Sequence, residues 1–257
     1  MSDWDAGKRT AYVEGLNLPE IDPDLVTKGF VATIQEDNKK SGSVNAGNLV
    51  SFTANLTGKD KTDVLDSILL AQLVASNNNS RNDKPVDWYN DYFKVLTNIG
   101  WVLQGEPFAP YHASGSTVTI EKTVIELLSA IASGQMVLIV KQVLESLKNL
   151  TENDRGFVIW DRSTHSKKNG NFQLSGATKE NTSIALNAVN LYFSATQTDT
   201  KFLWFSYSTS DVLLNYRNTT LTLNQEIYST VRNKIKEKLE DRTNAYVDNL
   251  ELPPLET

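Results

Sequence analysis

Two histidines, His112 and His165, are the only imidazoles in the 257-residue chain. One of them sits in its most chemically varied stretch, Trp160-Asp161-Arg162-Ser163-Thr164-His165-Ser166-Lys167-Lys168. Asp161 with His165 makes an acid–base pair, because a neutral imidazole can take a proton and a carboxylate can hold the cation that results. Arg162, with Lys167 and Lys168, offers instead a cradle for an anion. Asp161, Arg162 and His165 are therefore the candidate catalytic residues. The segment follows an apolar run and reads as a loop, where sites commonly sit. The same residues also suit a plain polar connection between two strands.

Other candidates carry less. His112 lies in a second irregular segment, Pro110-Tyr111-His112-Ala113-Ser114-Gly115-Ser116, and nothing in the spacing brings it to His165. Asp87 and Asp91 are four residues apart on one helix face, a spacing open to metal or acid–base work. Asp87, however, falls in a first helical turn, where a carboxylate complements the dipole, and a metal site needs more than two ligands. There is no Gly-rich phosphate loop after a strand, no nucleophile-elbow serine and no helical zinc signature. No metal or cofactor is expected.

The totals exclude further classes. With no cysteine, disulfides, thiol nucleophiles and thiolate metal sites are ruled out. The net charge is −6. The densest basic run, Arg232, Lys234, Lys236 and Lys238, is interrupted by Glu237 and followed by Glu240 and Asp241, so no nucleic-acid partner is expected. Hydrophobic residues at 40% and charged residues at 22% are ordinary for a globular protein. The first residues have no apolar core after their charges, which reads as cytoplasmic, or exported without a cleavable signal peptide.

The elements that must position these groups change period along the chain. Residues 1–27 read as a surface arm. Alternation predicts strands at 29–35 and 49–56, with the polar stretch between them as a long connection. Val64, Ile68, Leu69 and Leu73 predict a helix near 62–76; Trp88, Tyr92, Val95, Ile99 and Val102 predict another over 85–104, ended by Gly105 and Pro107. Residues 121–149 form a third helical block that Gly134 kinks or divides. From Gly156 the period reads as two: Phe157–Trp160, Phe172 with Leu174, Ile184 with Leu186, Leu191 with Phe193, a doubly covered strand at Phe202–Phe205, and Val212–Tyr216, extended by Leu221 and Leu223. Thr222 to Gln225 reads as a capping box before a helix near 224–242, and 245–257 as a second surface arm. The order gives an α+β fold in one domain over 1–257, an antiparallel sheet packed with a group of central helices and a C-terminal helix.

Two compositional features bear on function. Val124–Val140 holds one charge, Glu126, and includes Met136-Val137-Leu138-Ile139-Val140. At the lower limit of the ~20 residues a spanning helix needs, it reads as a core helix or as an element that unfolds onto a membrane. In the folded protein its apolar groups must then be packed inside. Residues 181–223 set Asn, Ser and Thr between aromatics, a surface suited to glycan, lipid or protein. The leading expectation is a non-enzymatic interaction protein, its sharpest form a membrane-active effector or toxin without a constitutive transmembrane segment. It would meet a protein, glycan or lipid surface. The alternative is a hydrolase- or transferase-like enzyme using residues 160–168.

Overall fold

The stretch expected as a connection before residue 49 is itself half of a hairpin. In the computed structural model, which describes residues 6–26, 35–166, 168–196 and 201–254, β1 (Ser41–Asn45) pairs antiparallel with β2 (Asn48–Phe52). Their two-residue turn holds Ala46 at φ 47°. Gly and Ser residues hide β1 from a hydrophobic reading, yet four of its five residues are buried. The strand expected at 29–35 falls, apart from Gln35, outside the described residues.

The N-terminal segment expected as a surface arm holds a helix, α1 (Ala6–Gly15), which buries Arg9 and Val13 and packs on the C-terminal helix. Helix α2 (Gly58–Asn78) begins at a capping box, in which Thr57 accepts from Asp60 N–H and the Asp60 carboxylate accepts from Thr57 N–H. Its partner α3 (Pro85–Asn98) buries Trp88, Tyr92 and Val95 as expected, and Ile99 at its end. The helix stops sooner than the apolar stripe suggests. Gly100 adopts φ +114°, the left-handed region that glycine tolerates, and redirects the chain into β3 (Trp101–Gln104). Val102 belongs to that strand and is exposed. After β4 (Ala109–Pro110) and β5 (Thr117–Thr119), the third helical block divides into α4 (Ile120–Ser129) and α5 (Gly134–Asn149). Gly134 opens α5, and Ser133 caps it by accepting from Met136 N–H.

Two expected strands are corrected. Phe157–Trp160 lies in α6 (Arg155–Thr164), which buries Phe157, Ile159, Trp160 and Thr164. A short continuous apolar run does not report its own period, and here helical packing decides. Phe202–Phe205 is mostly a turn, closed by Trp204 N–H donating to Lys201 O at 3.0 Å. Phe202 and Leu203 are apolar because they plug the core, not because they form a covered strand.

The long strands match the alternation. After β6 (His165–Ser166), β7 (Asn169–Glu180) turns through Asn181 into β8 (Ser183–Ala195), and β10 (Val212–Leu223) follows the short β9 (Ser206–Ser208). Helix α7 (Gln225–Leu239) is capped by Asn224, whose side chain accepts from Ile227 N–H; Thr222 and Leu223 remain in β10, so the expected capping box is displaced. A short helix α8 (Arg242–Tyr246) follows, and the segment expected as a C-terminal arm supplies its end and β11 (Val247–Leu250). This last strand pairs with β1, and Val247 and Leu250 are buried.

The main sheet runs β11-β1-β2-β7-β8-β10-β3, with β4 also on β10 and β6 on β7. All its pairs are antiparallel except β2 with β7. An α+β architecture results, with a core on each sheet face. Residues of α2, α3 and α7 share one core with Val50, Phe52, Leu186 and Leu221. Residues of α4, α5 and α6 share the other with Leu49, Leu174, Leu191 and Leu214. At Gly176 of β7 an added Cβ would lie 2.3 Å from Met136 Sδ, so α5 reaches the sheet only over a glycine.

Candidate functional site

Residues 160–166 are not a loop. Asp161 and Arg162 sit in the last turns of α6, and His165 begins β6. Four residues apart, Asp161 and His165 face the same way, with His165 Nδ1 3.3 Å from Asp161 Oδ1. The two groups are therefore brought close together. Their side chains are mostly enclosed, at 13% exposure for His165 and 27% for Asp161. The imidazole lies 5.4 Å from the Phe202 ring, at the margin of a cluster in which Phe202 also meets Trp160, Phe172 and Phe193.

Arg162 turns to other work. Its Nη1 and Nη2 reach Asp22 and Asp24 at 3.1 and 2.6 Å, clamping the 3-10 turn Pro23–Leu25 against α6. Of the expected anion cradle, the Arg162 guanidinium is engaged by carboxylates, Lys168 is exposed, and Lys167 lies outside the described residues. His112 stays apart as well. His165 stands opposite Gly170, Gly170 opposite Phe193, Phe193 opposite Leu214, and Leu214 O accepts from Tyr111 N–H. Four strand spacings separate the histidines, on the order of 19 Å. Asp91 accepts from the Asn78 and Asn79 amides and ties α3 to the end of α2. Among the described residues no group of three or more potential ligands could hold a metal ion.

Five surface clefts are lined by residues other than Asp161, Arg162 and His165. A cleft of about 900 Å³ runs between α4 and α5 and the chain at Pro253 and Pro254. Its apolar groups include Ile125 and Leu138, and its rim carries Glu121, Glu126, Lys122 and Lys141. Leu138 is 49% exposed, contrary to the expectation that the apolar groups of 124–140 are all inside. The reason is helical geometry. Met136, Ile139 and Val140 face the sheet, and Leu138 points the opposite way from them.

The proline side of this cleft is not visible in the sequence, because the tail reads as an arm. Gln142 Nε2 donates to Pro253 O and Ser146 Oγ to Glu251 O, both at 2.6 Å, fastening the tail along α5. The only sequence signal was the pair of prolines, which favours an extended chain.

No protein-family model and no curated protein matches the sequence. Among solved structures, the chain is similar to a delta-endotoxin, at 13% identity and a TM-score of 0.41, over 80% of this chain and 90% of that one. It is also similar to the Evf virulence factor, at 9% identity and a TM-score of 0.37, over 93% and 90%.

Proposed function

We propose that this protein acts by binding rather than by catalysis, as an effector or toxin that engages a lipid surface through α4 and α5. The observation that carries the reading is the outward apolar edge of these two helices. Leu138 is 49% exposed and Ile125 and Ile131 are partly so, while the opposite sides are packed on the sheet. Among the described residues no helix is long and apolar enough to cross a membrane. At 1.5 Å per residue, α4 (10 residues) and α5 (16 residues) span roughly 15 and 24 Å, short of the ~30 Å hydrocarbon core. Helices of this kind lie in the interface, apolar side down, with Lys122 and Lys141 able to reach the headgroups.

Vesicle flotation and dye release test this, using phosphatidylcholine alone and mixed with phosphatidylserine, at pH 7 and pH 5. The protein is expected to float, and Leu138→Lys to lower bound protein at least tenfold. Because Leu138 is half-exposed, that variant should keep its urea midpoint. Absence of flotation and leakage under all four conditions overturns the reading.

The alternative, a hydrolase- or transferase-like activity with Asp161 and His165 as its acid–base pair, rests on their 3.3 Å approach. In that case His165→Ala abolishes turnover while folding survives; full turnover in the variant would dismiss it.

A further inference from the structure

The α2–α3 layer leaves one end of its sheet face uncovered. Asn171 Nδ2 of β7 donates to Arg81 O at 3.0 Å, close to where that helix layer ends. Asn171, Tyr192 and Asn215 follow one another across β7, β8 and β10. Two residues along each strand, and so on the same face, come Asn169, Ser194 and Leu213. The step between these strand ends and Asn82, Asp83 and Pro85 is a cleft of about 350 Å³. That is the lower end of the range for ligand sites, roughly 300–1,000 Å³.

Its chemistry is unusual for a surface step. The amides of Asn169 and Asn215 and the hydroxyls of Ser194 and Tyr192 make no hydrogen bond to protein among the described residues. Asn82 Oδ1 is buried without a partner. Beside these groups stand the half-buried Tyr192 ring and Leu213, the latter 72% exposed. Among the described residues that line the cleft there is no Lys, Arg or His, and Asp83 is the one charged group.

We propose that this cleft binds one neutral sugar unit of a glycan. Amides and hydroxyls each donate and accept, as a row of sugar hydroxyls requires. The Tyr192 ring and Leu213 offer apolar contact to the C–H face of a pyranose. A phosphate, sulfate or carboxylate would meet Asp83, with no cation among the described lining residues to offset it. The cleft lies on the sheet face opposite α4 and α5, so the assignment stands independently of the lipid reading.

Saturation-transfer NMR on the full chain tests it, with glucose, galactose, mannose and N-acetylglucosamine, and glucuronic acid as the anionic counterpart. At least one neutral sugar is expected to receive saturation, with glucuronic acid binding at least tenfold more weakly. Tyr192→Ala, Asn215→Ala and Ser194→Trp should each weaken binding at least tenfold. Because Tyr192 packs beside Phe108, at 5.2 Å between ring centroids, its variant counts only if its melting curve matches that of the parent. The other two, at partly exposed side chains, decide the matter without it. Saturation of no neutral sugar, equal or better binding of glucuronic acid, or unchanged binding in Asn215→Ala and Ser194→Trp would each overturn the assignment.

Discussion

Arg81 and Gln173 meet at 3.1 Å, Nη2 donating to Oε1, beside a row of polar side chains that crosses five strands. The row runs Asn45, Asn48, Gln173, Asn190, Arg217, each opposite the next. All but Arg217 are buried. Arg81 also donates to Gln72 Oε1, Gly47 O and Asn171 O, and its guanidinium lies 4.3 Å from the Trp88 ring centroid. Burial lowers its pKa to about 10, so it stays charged at neutral pH, held by neutral acceptors and an aromatic face.

Replacing Arg81 by Met should therefore cost about 2–4 kcal/mol in urea unfolding, since four acceptors lose a charged donor at once. Arg81→Lys should recover little, because one ammonium cannot reach acceptors spread around a planar fork. A Lys variant as stable as the parent would show that charge alone, not the fork, is what α2 and α3 need.

Asp66 gives stability a pH dependence. Burial, opposed by Lys236 and reinforced by Asp63, pushes its carboxyl from 3.8 up to about 7. The folded pKa lies above the unfolded one, so this contribution is full below pH ~4 and is lost as pH rises towards 7. Asp66→Asn should match the parent near pH 4 and exceed its stability by roughly 2–4 kcal/mol at pH 8. Urea midpoints from pH 4 to 8 measure this; parallel curves for the two proteins would contradict it.

Ile99 is fully buried and ends α3, its N–H donating to Val95 O at 3.1 Å. Alanine keeps that bond and removes only the side chain. A loss of about 2–5 kcal/mol is expected, with an unchanged denaturant dependence.

The α2–α3 pair was legible because Val64, Ile68, Trp88 and Tyr92 repeat at helical spacing within one element and one apolar face decides their burial. The strands β7, β8 and β10 were legible for the matching reason at period two. The Asp161–His165 pairing was also within reach, since i and i+4 meet on a helix as they can in a loop. What surrounds that pair was not: Arg162 is occupied by carboxylates 140 and 138 residues away in sequence, and Phe202 closes on the imidazole from another segment.

By itself, then, the sequence determined the α+β class, the major helices and the long strands, because short-range periodicity and turn chemistry act within a few residues. Tertiary structure alone decided that Phe157–Trp160 is helical, that β1 and β11 are strands, and that β2 lies parallel to β7. Each of these depends on partners distant along the chain. A Gly-Ser strand such as Ser41–Asn45, or a tail such as Val247–Leu250, has no period of its own to declare; it becomes a strand only when a neighbour supplies the hydrogen bonds that its buried backbone requires.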